Sequence, residues 1–489
     1  MGDKPCHIIP IPKRMSLEST DRPWPKRVDV SCDVACAEPL VGRYKSDLAG
    51  RGDELLKVSL IETNSRSGGY ELSFDKGVLI VSASDTPGFR HALQTVSQIS
   101  SEGRIPVGTV ADWPELSIRG FHLNFEAYRR LDLKRALHLI RTAEHFKLNT
   151  ILVEYGPRFP FKSHPSIGEA DALTPEEIQQ LNAEADALGI RIIPLQQSLA
   201  HLEYALKHEH LSHLRERREK RNLMCPRDPQ SLELFKSLAG EVIERHPKAE
   251  WFHLGGDEAR KIGHCARCKE DAKQEGLGAV YGRYIGDAAR WLLDQGRRPI
   301  VWDDTLCSLP DAFEHLPKET LMTYWDYIAV ADPTPVLIPR MAHADGGPRV
   351  AHDWAWSLGR KRGRISDVQI QVMRNYSKPV RLRASLGKKY LGEFEAYLGN
   401  GFPRWVRALP YLEYYQDRGH EVITSPTGMG NGDTQDGVPN FERFEHNIRT
   451  HAERCKSNGK ALGMITTAWY NMPPELLYQP LIRTAQCAW

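Results

Sequence analysis

From Arg119 onward, short apolar runs alternate with longer segments whose apolar residues recur at helical spacing. The runs lie at residues 120–125, 150–155, 191–196, 251–255, 299–302, 321–325, 421–425 and 464–468. Most are continuously apolar rather than alternating, the pattern of parallel strands covered on both faces. Between them, residues 134–146, 175–187, 229–245, 279–295 and 443–457 read as helices, and Gly189, Gly296 and Gly459 supply stop signals. About eight β/α units in succession is the number that closes a (β/α)8 TIM barrel. A doubly wound open sheet would carry the same alternation, because periodicity does not record closure.

Residues 1–112 follow another rhythm and predict a small α+β domain. Residues 27–34 and 56–61 read as strands. Residues 70–74 and 78–81 alternate around Asp75-Lys76-Gly77, a hairpin signature, and 86–101 has a helical apolar face at Phe89, Leu93, Val96 and Ile99. Asp112-Trp113-Pro114-Glu115 then breaks the pattern, so 113–489 is assigned to the barrel. Between the strands ending at Trp325 and beginning at Glu421 there is far more chain than one helix needs. This long insertion, at about 328–415, includes Gly346-Gly347-Pro348, the basic stretch around Arg360–Arg364 and a Lys/Arg-dotted segment at 376–389. After a barrel strand, such an excursion falls on the active-site face.

Composition narrows the classes. The 489 residues are 41% hydrophobic and 26% charged, with 65 Lys+Arg against 63 Asp+Glu, so no net field draws the chain to nucleic acid or to a membrane surface. No run reaches the ~18 apolar residues of a membrane span, and MGDKPCHIIPIPKRM lacks a signal-peptide core. Nine scattered cysteines, an odd count in a large chain, suggest reduced thiols. A cytoplasmic protein is the expectation.

In a (β/α)8 barrel the chemistry gathers at the carboxyl ends of the strands. Read in order, those ends supply Asn124 and Glu126; Glu154 and Tyr155; Gln196, Gln197 and His201; Asp257 and Glu258; Trp302, Asp303 and Asp304; Trp325, Asp326 and Tyr327; Ser425 and Thr427; Trp469, Tyr470 and Asn471. Carboxylates and amides among flat rings suit a sugar: acids act on the glycosidic oxygen, and aromatic faces cover pyranose C–H groups. The sharpest feature is Trp251-Phe252-His253-Leu254-Gly255-Gly256-Asp257-Glu258. Two acids crowded where a strand ends separate their proton affinities, so one stays protonated while the other is charged. An exposed Asp-Glu at a helix N-terminus is the bland alternative.

His-x-Gly-Gly-Asp-Glu on a barrel strand resembles the signature of glycoside hydrolase family 20, the β-N-acetylhexosaminidases. Gly69-Tyr70-Glu71-Leu72, the run 86–95, Asp112-Trp113-Pro114 and Arg119-Gly120 resemble that family's N-terminal domain and its passage into the barrel. Glu154-Tyr155, Phe159-Pro160, 194–197, 201–203, 206–208, His246-Pro247 and 301–304 are similar to the hexosaminidase D branch. The resemblance implies substrate-assisted hydrolysis, an exception to the two-carboxylate mechanism. The sugar's 2-acetamido oxygen would attack C1 to give an oxazolinium ion, with net retention. Glu258 would act as general acid and then base, and Asp257 would orient the acetamido N–H. Arg119 would hold sugar hydroxyls, His201 would line the site, and Trp302, Trp325 and Trp469 would cage the acetamido methyl. Asn124, Glu154, Tyr327 and Tyr470 complete the expected substrate contacts.

The implied substrate is an oligosaccharide or glycoconjugate ending in a β-linked N-acetylhexosamine, with no cofactor and no metal. Asn124 stands where the family commonly has Asp, and Tyr470-Asn471 where it has an acid, which leaves gluco against galacto open; so does the missing Tyr-x-Asp, for which Tyr324 and Tyr327 are the candidates. A related substrate-assisted β-N-acetylgalactosaminidase and a non-catalytic carbohydrate-binding barrel are the other readings; the intact acid pair argues against the second. His264-Cys265-Ala266-Arg267-Cys268 has one half of a zinc pattern and no second half in sequence. Cys225 and Cys307 could join only if folding brings them close, so the expectation is unpaired loop thiols.

Overall fold

The alternation at 70–83 becomes a hairpin inside a six-stranded sheet. The strands are β1 (Arg14–Glu18), β2 (Pro25–Cys32), β3 (Gly52–Glu62), β4 (Tyr70–Asp75), β5 (Val78–Ala83) and β6 (Val107–Asp112), in spatial order β1-β6-β4-β5-β3-β2. The computed structural model describes residues 7–32, 34–48, 50, 52–126, 131–259, 261–327, 329, 336–339, 351–352, 377–379, 388–402, 407–429, 434–435, 438–469 and 473–489. In the hairpin, Tyr70, Leu72 and Phe74 of β4 and Leu79, Val81 and Ala83 of β5 are buried. They share a core with Phe89, Leu93, Val96 and Ile99 of helix Thr86–Ser101. That helix starts where Asp85 Oδ1 accepts the N–H of Gly88 at 2.8 Å, with Pro87 in the first turn.

β1 and β6 were not legible as strands. β1 is an edge strand with no fully buried residue, and β6 buries only Val110 and Asp112, so neither presents the apolar alternation that marks a strand.

One compact unit comprises Met1–Arg119, Arg141–Asn149 and Ala485–Trp489. Its polar centre is Asp112. Oδ2 accepts from Lys147 Nζ at 3.2 Å, Tyr70 Oη at 3.0 Å and Trp489 Nε1 at 2.8 Å, while Oδ1 takes the backbone N–H of Lys13 at 3.1 Å. Both charges of the Lys147–Asp112 pair are inaccessible, and burial lowers Lys147 to about 8.

Arg119 belongs to the same unit, and here the family-based expectation is corrected. Its guanidinium donates to the carbonyls of Leu116 (2.8 Å) and Lys147 (2.9 Å), lies 3.2 Å from His91 Nε2 and stacks over Trp489. It sits second in β7 (Ile118–Asn124), roughly 16 Å along the strand from the carboxyl end where barrel chemistry gathers. Arg119 is therefore a structural arginine with committed donors.

The second unit, Gly120–Ile140 and Thr150–Thr484, is the barrel. After β7 come β8 (Thr150–Glu154), β9 (Arg191–Leu195), β10 (Trp251–His253), β11 (Arg298–Trp302) and β12 (Leu321–Trp325). A small antiparallel sheet of β13 (Val336–Pro339), β14 (Ala351–His352) and β15 (Ser377–Pro379) follows, then β16 (Val422–Ser425), β17 (Thr427–Met429), the pair β18 (Thr434–Gln435) and β19 (Val438–Pro439), and β20 (Gly463–Ala468). Strands β7-β8-β9-β10-β11-β12-β16-β20 neighbour one another in that order and β20 returns to β7, closing eight parallel strands. Burial on both faces explains their unbroken apolar runs: β7, β8, β16 and β20 are buried at every position. Helices Pro175–Ala187 and Pro229–Arg245 match the sequence expectation residue for residue. The first is fixed by a capping box in which Thr174 and Glu177 satisfy each other's backbone N–H.

Most of the long insertion, including the basic stretch around Arg360–Arg364, lies outside the described residues. Its final part is described and returns to the barrel as an aromatic cluster: Tyr390, Phe394, Tyr411, Tyr414 and Tyr415 pack ring on ring. Among the described residues no helix is long and apolar enough to cross a membrane.

Candidate active site

β10 stops after His253, and the chain turns sharply. Gly255 and Gly256 have φ of 70° and 90°, a region that L side chains rarely adopt. A Cβ on Gly255 would meet Gln197 Oε1 at 2.0 Å, and one on Gly256 would meet Val301 Cγ2 at 2.9 Å. The turn is pinned from three sides. Gly255 N–H donates to His253 Nδ1 (3.0 Å), Tyr281 Oη donates to the Gly256 carbonyl (2.6 Å), and Glu258 N–H donates to Asp304 Oδ2 (3.1 Å). Glu258 itself has φ of 51°. Strained backbone held this firmly is characteristic of functional positions.

This turn brings the two acids together with His201, from the loop after β9. His201 Nε2 lies 3.2 Å from Asp257 Oδ2 and 3.7 Å from Glu258 Oε2. Burial alone would lower the imidazole, but Asp257, with Glu258 and Glu154 behind it, raises it to about 10. Burial alone would raise Asp257, and the facing His201 overrides it and holds the carboxyl below its ordinary value. Asp257 is 8% exposed, and its Oδ1 takes no hydrogen bond from any described residue. One acid is thus an anion locked against an imidazolium, and its neighbour Glu258 is half-exposed.

A second polar strand end stands alongside. Gln197 Nε2 donates to Glu154 Oε1 at 3.0 Å, and His122 Nε2 lies 3.4 Å from Glu154 Oε2. Asn124 is buried at the end of β7, in register with Glu154. Tyr155, by contrast, is structural: it stacks on Phe125, and its hydroxyl meets His246 Nε2 at 2.9 Å.

The rings form one continuous chain. His253 and Trp302 have centroids 4.3 Å apart, Trp302 and Trp469 5.8 Å, and Trp325 and Tyr327 4.7 Å. Trp469 Nε1 donates to Tyr327 Oη at 2.7 Å, which joins the two pairs. Trp302 is 1% exposed and packed against His253 and Trp469, and its buried Nε1 has no hydrogen-bond partner among the described residues. Tyr324 is buried against Tyr411 and Tyr415 and is no substitute for a sugar-binding tyrosine. Tyr470 and Asn471 lie outside the described residues.

Other residues, two of them from the strand-end set, support the site rather than line it. Asp303 accepts the N–H of Trp325 (3.2 Å) and the hydroxyl of Tyr415 (2.7 Å), so it fixes the ring chain and does not stand as a free acid. Asp304 holds the backbone of Glu258. Tyr281 lies within helix Leu277–Asp294 and reaches the turn across the barrel wall; helical spacing marks it only as core. The loop thiols are also not isolated: Cys225 approaches Cys265 and Cys268, with Glu216 beside them, and Cys307 is not part of the cluster.

Comparison with known proteins identifies the family and the fold. A model described as glycosyl hydrolase family 20, catalytic domain, matches residues 78–335, and one for that family's domain 2 matches residues 5–113. Hexosaminidase D of Bos taurus is 32% identical over 224 residues, 44% of this chain and 63% of that protein. Hexosaminidase D of Homo sapiens is 31% identical over 194 residues, 38% of this chain and 40% of that protein. The chain thus spans less than two thirds of the length of these curated relatives. Among solved structures, a β-N-acetylhexosaminidase from Bacteroides fragilis superposes with a TM-score of 0.66 at 15% identity, covering 99% of this chain and 90% of that one. An exo β-N-acetylglucosaminidase from Vibrio harveyi, solved with N-acetylglucosamine, gives 0.66 at 17% identity, covering 99% and 73%. These two likenesses establish the fold. With the catalytic-domain model matching more than half of its length, the chain belongs to glycosyl hydrolase family 20.

Proposed function

We propose that the chain is a retaining exo-β-N-acetylhexosaminidase that releases terminal β-linked GlcNAc or GalNAc from oligosaccharides or glycoconjugates by substrate-assisted catalysis. The observation that carries this reading is the turn at 255–258, which sets an anionic Asp257 and a half-exposed Glu258 side by side next to the ring chain. The acetamido carbonyl oxygen attacks C1 as the C1–O bond to the leaving group breaks, and Glu258 gives its proton to that oxygen. Asp257 accepts the acetamido N–H and stabilises the positive charge growing on the oxazolinium. Glu258, now a carboxylate, takes a proton from the water that adds to C1 as the C1–O bond of the oxazolinium opens and the acetamido group is regenerated. The β configuration returns.

His201 keeps Asp257 charged throughout, because its imidazolium is the nearer counter-ion. Trp325 and Trp469 supply apolar surface for the N-acetyl methyl, with the buried Trp302 packed against Trp469. Asn124, Glu154 and Tyr327 are the polar groups offered to the sugar ring.

The test is hydrolysis of aryl β-GlcNAc and aryl β-GalNAc with aryl β-glucoside as control. The expected result is turnover of the acetamido sugars alone. Comparable turnover of the glucoside would overturn the assignment and indicate a mechanism with a protein nucleophile.

A further inference from the structure

Outside the sugar site, the loops after β9 and β10 meet at a cluster of three thiols and one carboxylate. Cys225 Sγ lies 3.4 Å from Cys265 Sγ and 3.6 Å from Cys268 Sγ. The Cys268 thiol donates to Glu216 Oε2 at 3.3 Å. One donor atom from each of the four residues falls within 4.8 Å of all the others. Three of the four side chains are buried, and Cys265 is partly so.

These separations have a specific meaning. A bonded disulfide needs about 2.05 Å between sulfurs, far less than is found here. Sulfurs bound tetrahedrally to one zinc at ~2.3 Å are about 3.8 Å apart, close to the observed spacing. A carboxylate oxygen at ~2.0–2.2 Å from the same ion falls roughly 3.5 Å from each sulfur, again close to the observed 3.3 Å.

The backbone is arranged for the same purpose. Cys265 caps helix Ala266–Glu275, and its Sγ accepts the N–H of Cys268 at 3.3 Å. Glu216 turns its other oxygen, Oε1, to the N–H groups of His264 (2.6 Å) and Cys265 (3.0 Å), which leaves Oε2 aimed at the thiols. Glu216 and Cys225 are brought level by paired backbone: Glu216 N–H donates to Leu223 O at 3.0 Å and Cys225 N–H to Leu214 O at 2.7 Å. Orienting hydrogen bonds of this kind surround metal ligands and set their direction.

We propose that Cys225, Cys265, Cys268 and Glu216 bind a tetrahedral zinc ion that clips the loop carrying His201 to the loop carrying Asp257 and Glu258. All four positions are filled by protein, so the ion has no open site for water and its role is structural. It ties the imidazole and the two acids it faces through their supporting loops, and it stands apart from the sugar chemistry.

The experiment is elemental analysis of the full chain purified without chelator, followed by cobalt exchange. Stoichiometric zinc is expected, with its loss in the C225S/C265S/C268S variant. Should that variant fail to fold, the parent protein answers by itself: a mercurial that titrates thiols should release zinc to a chromogenic chelator in step with the cysteines modified. The cobalt form should show thiolate-to-metal charge-transfer absorption and intense tetrahedral ligand-field bands. Glu216→Gln should shift those bands while keeping the charge transfer. Metal-free protein that takes up no cobalt, zinc that survives the cysteine substitutions, or a disulfide from Cys225 found by mass spectrometry after anaerobic purification would each overturn the proposal.

Discussion

Asp304, just past the end of β11, accepts the backbone N–H of Glu258, two strands' ends meeting at 3.1 Å. The proposed acid is thus held by its neighbour strand as well as by its own, and at a φ it would not otherwise adopt. Asp304→Ala removes that restraint. We expect kcat to fall about 100-fold with KM changed little, since displacing a reacting group by an ångström costs on that order. Asp304→Asn keeps an acceptor oxygen and should recover most of the rate. Steady-state kinetics on both variants, with a melting curve to confirm folding, makes the comparison.

Glu258→Gln should abolish proton donation without changing the side chain's shape. On glycosides with poor leaving groups the loss is expected at ~10²–10⁴-fold. On aryl glycosides whose leaving group needs no proton, the first step should be nearly intact. Equal losses on both substrates would remove Glu258 from the role of acid.

Asp257→Asn should damage the transition state far more than the ground state, because charge grows on the acetamido nitrogen only as the ring closes. A thiazoline that mimics the oxazolinium should lose affinity by ~10²-fold or more, while a simple N-acetyl sugar loses little. Inhibition constants for the two ligands in the variant separate this role from a cap, whose loss would weaken both alike.

His201 makes stability depend on pH in a defined direction. Its folded value is raised to about 10 from an ordinary 6.5, so the folded protein holds the proton more tightly than the unfolded chain. The stabilisation is complete below about 6.5 and is lost as pH rises through about 10. Lys147 has the opposite sign: its folded value of about 8 lies below the usual 10.5, so its effect favours the folded state as pH rises between the two. Subtracting the denaturation midpoints of His201→Gln from those of the parent cancels Lys147. The difference should shrink steadily from pH 6.5 to 10. A difference that stays flat would mean that His201 is not protonated in the folded chain.

The barrel was readable because strands covered on both faces write themselves as apolar runs, and each run found at the sequence level became a strand of the closed sheet. The Gly-Gly-Asp-Glu turn was readable because glycine is the residue that such backbone requires. Other parts were not. Arg119 shares its motif with a family position, but motif similarity does not show which end of a strand a residue occupies, and β7 places it at the wrong end for sugar. Glu216 and Cys225 lie 40 and more residues from Cys265 in sequence and meet only because two loops fold together. Tyr281 supports the turn through one hydrogen bond, and nothing in local pattern distinguishes it from ordinary core; Asp304 was legible as a strand-end acid, but not as the partner of the Glu258 backbone.

Trp489 sits in the apolar core of the first unit, together with residues from Ile8 to Val110, and hands its indole N–H to Asp112. Synthesis runs from the amino end, so residues 8–110 are made long before the residue that completes their core. Until residue 489 emerges, Asp112 and Lys147 share a pocket missing one wall, with a donor and a ring face absent from it. A nascent chain therefore carries that unit unfinished throughout the making of the barrel. The same topology makes the unit discontinuous as a genetic object: no single cut releases it whole.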